Sequence, residues 1–184
     1  MSIYVTPPLE WVPSPEVVQR AATFSSSLGT RQQVQYQQRG GFKLSDNAWG
    51  KLSEEAVAYW IRSVGKECSD PDYSDWSVSG YPQDRYPPDL TVGNIRVHVK
   101  ARVDGTSWTP SWVFQPADPV TTTPSTDDVF FFVTVVDRDE PRLRLTFVGT
   151  CDSLLGMWRP PDNGAAKKTV WASDLAKASS NSGP

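Results

Sequence analysis

The chain has 184 residues, 38% apolar and 21% charged, with 16 prolines and 12 glycines, so one loop-rich domain with a sizeable core is expected. A net charge of −3 excludes a protein that coats nucleic acid over its whole surface, but not one with a local basic groove. Nowhere do ~18 apolar residues run together, and the start MSIYVTPPLEW lacks the basic and apolar regions of a signal peptide; the expectation is a soluble, intracellular protein away from membranes, with Cys68 and Cys151 as reduced thiols.

In chain order, Ser14-Pro15-Glu16 reads as an N-cap, a first-turn proline and an acid at a helix start, predicting a short helix to about Ser27 that Gly29 stops. Residues 30–41, TRQQVQYQQRGG, carry two arginines and no acid, as in a polar strand, a linker or an arm that touches a polyanion. The strongest helix is predicted from Ser45 to about Lys66, where Trp49, Leu52, Ala56, Val57, Trp60 and Val64 form one apolar stripe. Glu54 falls on the border of that stripe. Glu55 is expected on the solvent face beside Lys51 and Arg62.

The acidic stretch from Glu67 to Asp84 lacks the glycine and closing glutamate of a calcium loop and reads as a solvated loop, and WSVSGY, residues 76–81, as a short strand. Two β-prone runs, Asp89 to Val92 and Ile95 to Arg102, flank Gly93-Asn94, a dipeptide suited to a tight primed turn. A two-residue hairpin then pairs Val92 with Ile95, Thr91 with Arg96, Leu90 with Val97 and Asp89 with His98. Leu90, Val92, Ile95, Val97 and Val99 share one face, while Asp89, His98 and Lys100 share the other. His98 is the one histidine of the chain.

A proline-rich excursion, Asp104 to Asp127, is expected to cover an edge or a groove. VFFFVTVV, residues 129–136, is a strand buried on both faces, and the alternation of RLRLTFVG, residues 142–149, marks a half-buried one. Asp152 to Trp158 reads as a short helix, followed by a loop and a frayed end. The order predicts an α/β (α+β) fold, with residues 1–44 as an N-terminal helix and extended arm, 45–158 as the core, and 159–184 as a C-terminal loop and tail.

A helix glutamate, then Pro88-Asp89, then a hydrophobic strand closing on His98-Val99-Lys100 resembles the PD-(D/E)XK nuclease superfamily, which includes restriction endonucleases and Holliday-junction resolvases. GKLSEEAVAYWIRSVG likewise resembles the resolvase pattern Gly-x3-Glu with a closing glycine, which places Glu54 in the helix carboxylate role; the likeness covers roughly residues 45 to 150. It implies a mixed sheet of about five strands flanked by helices and a divalent-metal-dependent endonuclease acting on DNA. Asp89 becomes the central metal ligand, Glu54 and the Val99 carbonyl complete the site, and Lys100 orients water or meets phosphate charge.

His98 stands where that superfamily has an acid. Imidazole suits Mn²⁺ better than Mg²⁺, and the exchange removes one negative charge. Three outcomes stay open: an enzyme preferring a softer ion, an enzyme whose missing acid is Glu55, Asp84 or Asp104, or an inactive nuclease-like fold that binds a protein or assembles. DNA contact is assigned to Arg31, Arg39, Lys43, Arg96 and Arg102, with Trp108 or Trp112 either stacking on bases or packing on the sheet. The resemblance also implies a homodimer as one arrangement, and a compact nuclease-like chain is compatible with a phage or mobile element.

Overall fold

A computed structural model describes residues 9–27, 44–74, 88–104, 111–114, 128–150, 168–171 and 173. Its elements are β1 (Glu10–Trp11), α1 (Pro15–Ser27), α2 (Asp46–Ser63), β2 (Leu90–Val92), β3 (Ile95–Val103), β4 (Ser111–Phe114), β5 (Asp128–Asp137), β6 (Arg142–Thr150) and β7 (Lys168–Trp171). The fold is mixed α+β, with a five-stranded sheet in the order β1-β6-β5-β3-β2 and a separate β4-β7 pair.

The hairpin register is the one turn chemistry predicts: Leu90 opposite Val97, Thr91 opposite Arg96, Val92 opposite Ile95. Gly93 holds the turn at φ 57°, a left-handed conformation natural to glycine. From β3 the chain crosses over to β5, which lies parallel to it and pairs Val97 with Val129 and Val99 with Phe131. β6 then returns antiparallel to β5, and β1 closes the far edge.

Alternation sorts the sheet into two faces. Val97, Val99, Phe131, Val133, Leu143 and Leu145 meet α2 in the main core, where Trp60 lies against Phe131 at 5.5 Å between ring centroids. Phe130 and Phe132 turn the other way, against Trp112 and Phe114 of β4, and the Trp112 indole donates to the Val133 carbonyl at 3.4 Å. β5 is thus buried on both faces from Phe130 to Val135. Trp112 packs on the sheet, and β4, the described strand of the excursion expected to cover an edge or groove, covers Phe130 and Phe132 on this sheet face.

Ser45 caps α2 by accepting from the Ala48 amide at 3.2 Å. The helix ends at Ser63, three residues earlier than its apolar pattern suggests, and Gly65 turns the chain at φ 77°. α1 lies along α2 through Ala21, with Val17, Val18 and Ala22 beside it. Arg62 then ties the following segment down by donating to the Cys68 and Ser69 carbonyls and to Asp70. Cys68 is a free thiol, and Cys151 lies outside the described residues. So do residues 30–41, the expected strand at 76–81, the expected helix from Asp152 to Trp158 and most of the C-terminal segment.

Leu52, fully buried at the centre of the helix–sheet contact, carries much of this packing. Leu52→Ala should cost about 2 to 5 kcal/mol, read as a lower urea midpoint at an unchanged denaturant slope.

Candidate active site at the helix and hairpin

Two glutamates of α2 that the sequence separates into border and solvent positions are both buried. Glu54 is 6% exposed and Glu55 8%. The solvent-face expectation for Glu55 is corrected by α1, which covers that side of α2: Arg20 and the Tyr73 hydroxyl both donate to Glu55 Oε1, the latter at 2.9 Å. Burial pushes the Tyr73 phenol up to about 12. The partner of Lys51 is Glu54, with Nζ 2.9 and 2.8 Å from its two carboxylate oxygens. Arg62, the other cation expected beside Glu55, is used on Asp70 instead.

Glu54 lies close enough to Asp89 for their charges to couple. Desolvation raises the Glu54 carboxyl most, the Asp89 charge raises it further, and the Lys51 ammonium only partly offsets both, leaving it at about 8. Asp89 sits just before β2, and its Oδ2 accepts from the Val99 amide at 2.6 Å. Lys51 and Glu54 are thus bonded to each other, and Asp89 lies within electrostatic reach of Glu54.

His98 and Lys100 do not join them. Because Val97 and Val99 face α2, the alternating positions face β4, and His98 stacks on Phe130 at 5.3 Å between ring centroids. Its Nε2 lies 3.2 Å from Asp128 Oδ1, and Asp128, 1% exposed, also accepts from Arg96, at Oδ1 from Nε at 2.6 Å and at Oδ2 from Nη2 at 2.8 Å. Lys100 Nζ lies 5.2 Å from the centre of the Phe114 ring. Arg102 lies over Trp112 and 3.6 Å from Asp104. Among the described residues, no group of three or more His, Cys, Asp or Glu side chains converges on a possible ion position. Val99 enters through its amide, which fixes Asp89.

Of the residues expected to contact DNA, Arg96 and Arg102 face the β4 side and engage Asp128 and Trp112, whereas Arg31, Arg39 and Lys43 lie outside the described residues. Asp84 and Trp108 lie outside them too. The residues that sequence reasoning missed are Lys51, Asp128 and Tyr73. Asp128 carried a legible signal: an acid one step before a fully apolar strand must meet a cation of a neighbouring strand if it is buried.

No family model, curated protein or solved structure matches the chain.

With a folded-state pKa near 8 against an ordinary 4.5, Glu54 binds a proton in the folded state that the unfolded chain has released. Between about pH 5 and 8 this makes stability fall as pH rises, by on the order of a few kcal/mol in total. Glu54→Gln in EDTA should flatten that slope in urea titrations at stepped pH; an identical slope in both proteins would contradict the burial of an acid at this position.

Proposed function

We propose that the chain is a divalent-metal-dependent endonuclease hydrolysing phosphodiester bonds in DNA, with its chemistry at Glu54, Asp89 and Lys51. The observation that carries this is the electrostatic coupling of Glu54 to Asp89: the Asp89 charge reaches the buried Glu54 carboxyl and, after burial itself, does most to raise it to about 8. Titratable groups pushed so far from their ordinary range are concentrated where catalysis occurs.

The donor set fits Mg²⁺ or Mn²⁺. Carboxylate oxygens are the hard ligands both ions take, and Mg²⁺ is commonly held by one or two carboxylates together with water and substrate phosphate rather than by a full protein cage. Glu54 and Asp89 are the residues that would hold it. When bound, such an ion lowers the pKa of water and offsets charge on phosphate oxygens. His98, which stacks on Phe130 and faces Asp128, is not called on as a ligand in this reading. Val99 N–H keeps the Asp89 carboxylate oriented, and Lys51 supplies a positive charge beside Glu54, the place the resemblance assigns to Lys100. Burial of Glu54 keeps water from screening that charge.

A second reading, a nuclease-like fold that binds a protein or assembles without catalysis, is favoured by one observation: His98 and Lys100 face β4, away from Glu54. The two readings part on metal. For the enzyme, Mg²⁺ or Mn²⁺ should raise the melting temperature and support plasmid nicking, and Asp89→Asn should abolish nicking by at least about 100-fold and remove the metal shift. The same preparation of His98→Ala should keep its metal shift. No shift and no nicking in the wild type with either ion would favour the binding module.

A further inference from the structure

Glu55 is a buried acid that the proposed chemistry does not use, next in sequence to Glu54 on the side of α2 that α1 covers. Its Oε1 accepts from Arg20 of α1 and from the Tyr73 hydroxyl, the latter at 2.9 Å. One carboxylate therefore ties both α1 and the segment after α2 to the same point of the helix, through hydrogen bonds strengthened by charge. Tyr73 is thus held by its own hydroxyl. Phe24 of α1 meets its ring edge to face, with centroids 5.7 Å apart and planes at 84°.

Both rings face Lys51. Its Nζ lies 5.3 Å from the centre of the Phe24 ring and 5.9 Å from that of Tyr73, within the roughly 6 Å over which a ring face attracts a cation. The same ammonium bonds the two oxygens of Glu54 at 2.9 and 2.8 Å. The Lys51 side chain is 6% exposed, so water screens these contacts little. A lysine has a flexible four-carbon stem, and a carboxylate at its tip leaves that stem several rotamers. Two rings set nearly at right angles restrict its swing in more than one direction.

We infer that Phe24 and Tyr73 are positioning residues of the proposed nuclease: their rings hold the Lys51 ammonium against Glu54, and the bonds of Tyr73 and Arg20 to Glu55 hold the rings in place. The inference rests on the nuclease reading for the reaction it serves, and it makes α1 a part of the candidate active site. Neither ring acts on the phosphodiester; each acts through Lys51. A positive charge assists a transition state most when it is already in place, and a misplacement of about 1 Å caused by a change away from the chemistry can cost on the order of 100-fold.

The test pairs nicking kinetics with NMR on the full chain. Tyr73→Leu and Phe24→Leu keep an apolar side chain but remove a ring face, and each should lower kcat for plasmid nicking roughly 10- to 100-fold while KM stays within about 2-fold of wild type. Tyr73→Phe keeps the ring and gives up only the hydroxyl, so it should recover most of what Tyr73→Leu loses. In the wild type, ring currents should shift the Lys51 ε-methylene protons upfield of those of the other lysines, and each leucine variant should move them back. Phe24→Leu supplies both readouts if Tyr73→Leu does not fold by circular dichroism. Leucine variants that nick at the wild-type kcat, or that change KM alone, would overturn the positioning role and leave the nuclease intact; so would Lys51 protons with no upfield shift. A wild type that nicks with neither Mg²⁺ nor Mn²⁺ would instead sink the nuclease reading, and the role with it, even with the ring-current shift present.

Discussion

The organising constraint is the burial of an acid in the contact between α2 and the sheet. A carboxylate without water is costly unless a positive charge accompanies it, and here Lys51, one helical turn away, is the charge that does so. The pairing is incomplete in effect, since burial and the nearby Asp89 outweigh the lysine and keep Glu54 near neutral titration. That imbalance distinguishes the place from an ordinary structural ion pair. Asp89 in turn is fixed by the Val99 amide, so the position of the pair depends on the register of the hairpin and on the helix packed against it.

Layering explains why one strand feeds two environments. β3 presents Val97 and Val99 to the helix and His98 and Lys100 to β4, and the strict two-residue period lets neither set change sides. On the β4 side, cations and rings are arranged around Asp128, Phe114 and Trp112, forming a second, polar-edged core. Taking one member out of the Arg96–Asp128–His98 group leaves a buried charge poorly compensated, which gives His98 a structural reason to exist apart from any ligand role.

Much of the fold was legible because its signals are local. The Gly93-Asn94 turn set the hairpin register, the continuous apolar run announced a strand covered on both faces, and Ser45 with the following stripe located α2. The site was harder. A helical wheel can identify the border position of Glu54, but not that α1 lies over Glu55 and turns an outward acid into a buried one. Nor can the alternation of one hairpin say which face the helix takes; placing Asp89, His98 and Lys100 together assumed that Asp89 keeps the pleat, whereas its carboxylate instead meets the Val99 amide. β1, β4 and β7 were missed for a related reason, β7 within the segment expected to be a loop and tail: short strands form through contacts distant in the chain, as when Leu9 accepts from Leu145 and β7 pairs with β4.

The most direct measurement is a ¹³C NMR titration of the Glu54 side-chain carboxyl in the wild type and in Asp89→Asn, without metal. We expect a midpoint near 8 that moves down on removing the Asp89 charge yet stays above the ordinary 4.5, because burial persists. A midpoint near 4.5 in both proteins would mean that Glu54 is neither desolvated nor next to Asp89, and the site described here would not exist.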